Sequence, residues 1–195
     1  NRWMADIWKT DKERLRWVAV PPLLSLVDPA QVRDELTFAK EHGACGIFMV
    51  GMECERIITD RYFHPLYAMA QEMDLPICFH VGINSFAVHD AYFGNAALFR
   101  AKFPILGAFG MLLQEETPAM FPELRWGFIE ASASWVPYML GDARIRTVRR
   151  GKQPSDTMLA DNNFFVTLQM TDDIPDLVNA FGDDHFLIGT DYGHR

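Results

Sequence analysis

Three ionisable side chains stand at the ends of apolar runs that read as strands. His80 closes Leu75-Pro76-Ile77-Cys78-Phe79-His80, Glu130 closes Leu124-Arg125-Trp126-Gly127-Phe128-Ile129-Glu130, and Asp191 closes His185-Phe186-Leu187-Ile188-Gly189-Thr190-Asp191. Short, nearly unbroken apolar runs suit strands buried on both faces, as in parallel sheets. In such a sheet every carboxyl end lies on one face, where active sites are built. An imidazole and carboxylates converging there could share a divalent metal, which lowers the pKa of bound water and polarises a substrate oxygen. A carboxylate off the metal could serve as general acid or base. The plainer readings are a core histidine satisfied by a backbone carbonyl and an acid that assists a helix N-terminus.

The elements that must position these groups alternate. Strands are expected at Trp17–Val20, Cys45–Val50, Leu75–Gly82, Leu124–Glu130, Asn163–Leu168 and His185–Asp191, with a helix between each and the next. Asp28-Pro29 starts one helix, with aspartate as cap and proline in the first turn, and Gly43 ends it. Asp60 opens another, residues 94–113 read as helical with a break at Pro104, Ser132 to Trp135 opens a helix to about Arg150, and Asp172-Asp173 caps the last. Residues 3–14 form an amphipathic helix, and residues 83–91 and 151–162 read as loops. Alternation of this kind means parallel pairing through right-handed crossovers, in a doubly wound open sheet or a (β/α)8 barrel. Neither G-x-G-x-x-G nor G-x-x-x-x-G-K-[ST] occurs.

Composition narrows the classes. The net charge of -8 speaks against nucleic acid, and the cations at Arg144, Arg146, Arg149, Arg150 and Lys152 read as a solvated helix end. No apolar run reaches the length of a membrane span. Cys45, Cys54 and Cys78 lack metal-ligand spacing. Cys45 and Cys78 read as buried thiols, which points to the cytoplasm. The chain opens at Asn1-Arg2-Trp3 rather than methionine, so it is expected to be part of a longer protein.

Three stretches in register resemble the amidohydrolase-2 family, the metal-dependent hydrolases and decarboxylases related to aminocarboxymuconate semialdehyde decarboxylase. They are Tyr62-Phe63-His64-Pro65-Leu66-Tyr67 with the run ending in His80-Val81-Gly82, Phe128 to Tyr138, and Ile188-Gly189-Thr190-Asp191-Tyr192-Gly193-His194. The resemblance implies an α/β fold, a (β/α)8 TIM barrel with one divalent metal, often zinc or manganese. Residues 1–195 would be a single partial barrel domain holding the third to eighth strands. His80 would match the metal-binding histidine of the fifth strand, Asp191 the metal-proximal aspartate of the eighth, and His194 the histidine that follows it. The first-strand H-x-H or E-x-H pair has no counterpart here, so two further ligands are expected outside this sequence. The sixth strand usually ends on a catalytic histidine; here it ends on Glu130.

The resulting expectation is a metal-dependent hydrolase or non-oxidative decarboxylase acting on a small organic acid or cyclic substrate. Asp191 and Glu130 would be catalytic, His80 and Asp191 metal-binding, and Trp135, His89 and His194 substrate-binding. Its partners are a small-molecule substrate and its own copies in a homo-oligomer, with no nucleic acid and no membrane. The rival is a non-catalytic barrel with a binding or assembly role, which the missing ligand pair and Glu130 favour. His64 reads as surface or cap, His42 as a helix C-terminal charge, and His185 as lying opposite the active face. Met49, Met52, Phe48 and Met111 read as core. Trp135 also has packing as its plain alternative.

Overall fold

The order of the strands separates the two architectures. The computed structural model describes residues 1–91 and 96–190, without the side chains of residues 91, 96, 97 and 99. Six parallel strands form one sheet: β1 (Trp17–Ala19), β2 (Ala44–Val50), then, beyond a small antiparallel ribbon of β3 (Met52–Glu53) and β4 (Arg56–Ile57), β5 (Ile77–His80), β6 (Trp126–Ile129), β7 (Phe164–Leu168) and β8 (Phe186–Ile188). Each main strand lies beside the one before it in the chain. A doubly wound sheet reverses its order at a switch point, whereas a barrel does not. The sheet is therefore six strands of an incomplete (β/α)8 barrel, with β1 and β8 as its edges.

The helices follow the same rhythm: α1 (Arg2–Trp8), α2 (Pro29–Glu41), α3 (His64–Glu72), α4 (Phe86–Ala91), α5 (Phe103–Gln114), α6 (Thr117–Met120), α7 (Val136–Arg149), α8 (Met158–Asp161) and α9 (Ile174–Phe181). Asp28 caps α2 by accepting from the Ala30 N–H, with Pro29 in the first turn. Residues 94–113 divide as Pro104 predicts: a π-helical stretch, Ala96–Lys102, leads into α5, where proline occupies the first turn. Two expected loops contain short helices, α4 within 83–91 and α8 within 151–162, and α1 is shorter than its amphipathic pattern. None of the helices among the described residues is long and apolar enough to cross a membrane.

Register decides which face each side chain takes. Ile47, Ile77, Trp126 and Phe164 are level with one another, as are Met49, Phe79, Phe128 and Val166, and all eight are fully buried. Both rows pack under the helices with Leu36 of α2, Leu66 and Tyr67 of α3, and Phe109 and Leu112 of α5. Phe109 sits against Phe128 and Phe164 with ring centroids 5.0 and 4.9 Å away. Burying aromatic rings of this size dominates the energetics of such a core. Met49 belongs to this layer as expected, while Phe48 takes the opposite row with Cys78, Gly127 and Phe165.

That opposite face is only partly covered: Phe48, Cys78, His80, Ile129 and Phe165 are half-buried. It corresponds to the lumen of the barrel. The expectation of two buried thiols is thereby corrected, since Cys45 is exposed and Cys78 half-buried. A continuous apolar run cannot tell a covered face from an open one. Burial, with a smaller contribution from Cys45, still pushes the Cys78 thiol up to about 11.

The loop after β2 meets the start of α5 at Gly51. A Cβ there would fall 2.1 Å from the Pro104 carbonyl carbon and oxygen. Backbone cannot give way as a flexible side chain can. Gly51→Ala is therefore expected to destabilise the protein by about 1–3 kcal/mol, read as a lower denaturant midpoint at unchanged m-value.

Candidate active site at the carboxyl ends of the strands

Two of the three expected strand-end groups meet. His80 is the last residue of β5, and Glu130 follows the last residue of β6, its neighbour in the sheet. His80 Nε2 lies 2.7 Å from Glu130 Oε2. On its other side, His80 Nδ1 is 3.0 Å from the Val81 carbonyl oxygen. Both ring nitrogens thus lie beside oxygen atoms. Both side chains keep about a third of their surface open, at 37% and 27%. The pair can therefore meet a small molecule without rearrangement.

The backbone at Glu130 is unusual. Its φ is +65°, and that of Ser132 is +66°, both in the left-handed region that non-glycine residues seldom occupy. Conformations of this kind persist only where the surroundings over-determine them, and they gather at functional sites. Here β7 and the loop after it supply the constraint. The Glu130 N–H donates to Thr167 Oγ1 at 2.7 Å, and its carbonyl accepts from Gln169 Nε2 at 3.1 Å. Lys102 Nζ in turn donates to Gln169 Oε1 at 3.0 Å, bringing a half-buried cation to the same end of the sheet.

The segment after Glu130 is held by a second carboxylate. Asp172, 9% exposed, accepts from the Ala133 N–H at 2.9 Å, the Ser134 N–H at 3.0 Å, Ser134 Oγ at 2.6 Å, the Gln169 N–H at 2.7 Å, and Ser132 Oγ. Burial alone would push its carboxyl up. The hydrogen bonds from Ser132, Ser134, Gln169 and Ala133 outweigh that and hold it below the ordinary carboxylate range. The expectation that Asp172 and Asp173 together cap the last helix is corrected accordingly. Asp173 caps α9 through the Asp176 N–H, while Asp172 reaches across to the loop after β6. An Asp-Asp pair before a helix carries no sign of which member caps.

The remaining expected site residues fall as follows. Asp191 and His194 lie outside the described residues. Trp135 packs its ring on Phe109 and Phe128, 5.0 and 6.3 Å between centroids, and its indole N–H donates to the Ala131 carbonyl. That is the packing alternative. His89 is on α4, with Nε2 2.7 Å from Arg100 Nη1 and Nδ1 3.4 Å from Asp90 Oδ1. A guanidinium only donates, so His89 Nε2 is the acceptor and Nδ1 carries the proton. His64 is not merely a surface cap: it begins α3, packs edge-on against Phe121, and has its Nε2 buried. His42 caps α2, its Nδ1 bonded to the Phe38 carbonyl, and His185 binds the Phe164 carbonyl at the amino end of β8. In the cationic cluster Arg144, Arg146 and Lys152 pair with Asp156, Asp142 and Glu116 on the surface.

Lys102, Gln169, Thr167 and Glu53 were not singled out from sequence, and Asp172 was read only as a helix cap. Only Thr167 carried a local signal, as a hydroxyl in an otherwise apolar strand. Glu53, on β3, is 4% exposed and accepts from the Val50 N–H at 2.9 Å and Asn84 Nδ2 at 2.8 Å. Burial pushes its carboxyl up, partly offset by those two donors.

The sheet order and the ionisable pair at its carboxyl end define a partial (β/α)8 barrel with a candidate site at the ends of its strands. The amidohydrolase family model Amidohydro_2 matches residues 1–194, and the chain belongs to that family. Over 111 residues, 56% of the chain, it is 38% identical to 2-keto-4-carboxy-3-hexenedioate hydratase of Sphingobium sp., of which it covers 30%. The fold matches 5-carboxyvanillate decarboxylase from Sphingomonas paucimobilis with a TM-score of 0.79 at 16% identity, covering 98% of this chain and 60% of that one. It also matches 5-carboxyvanillate decarboxylase from Novosphingobium aromaticivorans, solved with manganese, with a TM-score of 0.74 at 20% identity, covering 98% and 58%. The chain thus spans well under two thirds of each relative's length.

The Novosphingobium aromaticivorans decarboxylase was solved with manganese, and the donor chemistry at His80 fits a divalent metal. Its Nδ1 is bonded to a backbone carbonyl, as the far nitrogen of a ligating imidazole is, and Nε2, here beside Glu130 Oε2, is the nitrogen left to ligate. Among the described residues no three His, Cys, Asp or Glu side chains form a group able to hold an ion.

Proposed function

We propose that the protein containing this chain is a metal-dependent hydrolase or decarboxylase that acts on a small carboxylated organic acid by moving a proton at the reacting centre. The observation that carries this reading is the His80–Glu130 pair, 2.7 Å apart at the carboxyl end of the sheet. The names of the relatives support it, since a hydratase and a decarboxylase both act on small carboxylated molecules.

His80 Nε2 and Asp191 would hold the metal together with ligands outside this sequence. When bound, the metal supplies Lewis acidity toward a substrate oxygen and a lowered pKa for bound water. Glu130, beside the ligating nitrogen, gives or takes the proton at the reacting centre, and its fixed backbone keeps that oxygen in place. Lys102 and the Arg100–His89 pair offer donors to a substrate carboxylate from the loops after β5. Trp135 and His194 complete the substrate-contact set as proposals, as do the cytoplasmic setting and the homo-oligomer.

Elemental analysis of the full-length protein, purified without chelator, is expected to give one divalent ion per chain. The 195-residue piece alone is expected to bind none tightly. The full-length protein with manganese or zinc, screened against small aromatic and unsaturated carboxylic acids, is expected to turn over at least one by loss of CO2 or gain of water. A full-length protein without stoichiometric metal, or with metal and no turnover of any such acid, overturns the reading.

A further inference from the structure

A cleft of about 430 Å³ opens beside the His80–Glu130 pair, over the carboxyl ends of β1, β2 and β5. Its volume is in the range of small-ligand sites, about 300–1,000 Å³. The walls are apolar, from Val20, Pro22, Leu23, Phe48 and Val50. Two of these connect it to the pair: the Phe48 ring is 5.6 Å from the His80 ring, and Val50 is level with His80 in the sheet. Ser25, Cys54, Glu53 and Asn84 are its polar lining residues, and the last two sit together on one wall, Asn84 Nδ2 donating to Glu53 Oε2 at 2.8 Å.

Resting on the catalytic reading above, we propose that this cleft is the subsite for the uncharged end of the substrate. Hydrocarbon lies on the apolar walls, a substrate hydroxyl donates to Glu53, and Glu53 excludes a second carboxylate.

Each Glu53 oxygen takes one N–H and keeps a lone pair for another donor. The carboxyl is fixed, because it is held from both sides and the β3–β4 ribbon carries it, with the Asn84 N–H donating to the Met52 carbonyl at 3.2 Å. A substrate carboxylate in the cleft would meet another carboxyl group inside apolar walls, where little water screens it. Like charges juxtaposed in such a setting disfavour binding. The cations Lys102 and Arg100 lie on the stretch after β5 and line no part of the cleft, and Lys102 is tied through Gln169 to the Glu130 carbonyl. The substrate is thereby oriented: carboxylate toward the cations, reacting centre over His80 and Glu130, uncharged end in the cleft.

The test uses titration calorimetry of the full-length protein with 3-hydroxybenzoate, benzoate and isophthalate. Wild type is expected to bind 3-hydroxybenzoate at least about tenfold more tightly than isophthalate, with benzoate between them. Glu53→Gln is expected to narrow that ratio to about threefold or less while benzoate affinity stays within about twofold. Leu24, which lines the cleft and is 78% exposed, provides a variant that does not disturb the core. Leu24→Arg is expected to raise isophthalate affinity about tenfold by placing a cation at the rim. An unchanged ratio in Glu53→Gln overturns the proposal, as does wild type that does not distinguish the two probes. If Glu53→Gln does not fold, an unchanged isophthalate affinity in Leu24→Arg overturns it. The readout needs no turnover. Turnover lost in His80→Ala with an unresponsive ratio removes only the subsite, and a responsive ratio with no acid turned over removes only the catalytic reading.

Discussion

His80→Ala and Glu130→Gln in the full-length protein are each expected to lower kcat by about a hundred- to ten-thousandfold, and to do so for different reasons. His80 places Nε2 beside Glu130 Oε2 while its Nδ1 is bonded to the Val81 carbonyl. Alanine removes that nitrogen, so bound metal and turnover should fall together. Glu130→Gln keeps the shape of the side chain but takes away the carboxyl group beside His80. Metal content should then stay near wild type while kcat falls and substrate binding changes little. An interaction made only in the transition state has that signature. Retained turnover in Glu130→Gln would remove Glu130 from the proton-moving role. Metal content unaffected by His80→Ala would remove His80 from the metal site.

Asp172→Ala is expected to cost about 3 kcal/mol of stability, the largest loss from any single polar side chain in the fold. Its carboxylate is buried and accepts from two serine hydroxyls and three backbone N–H groups. Truncation leaves the buried Ala133 N–H and the half-buried donors of Ser132 and Gln169 without their acceptor, which costs more than the bonds themselves contribute net. The loop it releases contains Ser132, whose left-handed backbone has no intrinsic preference for that conformation, and Glu130 lies two residues earlier. Activity should therefore fall with stability, through misplacement of Glu130. The pH dependence has a definite sign. The Asp172 pKa is lowered in the folded state, so its stabilisation is fully present above the ordinary aspartate pKa and is lost as pH falls through the lowered one. Asp172→Asn should flatten that acid limb in a plot of denaturant midpoint against pH. An acid limb identical in Asp172→Asn and wild type would contradict this account.

Much of the architecture was legible in the residues. Five of the six sheet strands lie within the runs read for them and β2 begins one residue earlier, because buried parallel strands need apolar runs between turn residues and little else produces such runs here. Proline positions marked the first turns of α2 and α5. The short ribbon of β3 and β4 was not legible, since two-residue strands carry no periodicity. Neither was α4, Phe86–Ala91, which lies in a stretch read as a loop. The face of each strand was also undetermined: Phe48 and Met49 are adjacent apolar residues, yet one faces the lumen and the other the core.

The amino-acid sequence by itself determined that His80 and Glu130 end strands on one face of the sheet, because parallel strands in an alternating β/α chain all end on the same side. It also determined the family, through motifs spread along most of the chain. Only the tertiary structure decided the partners. That His80 Nε2 meets Glu130 at 2.7 Å depends on which strands are adjacent and on the left-handed turn at Glu130. That Asp172 belongs to the loop after β6 rather than to its own helix depends on a contact 38 to 40 residues away in sequence. Local residue preference has no access to such distances. Burial has the same character: Glu53 looks like one more loop acid until the ribbon folds it against Val50 and Asn84, and there its charge begins to select what can bind.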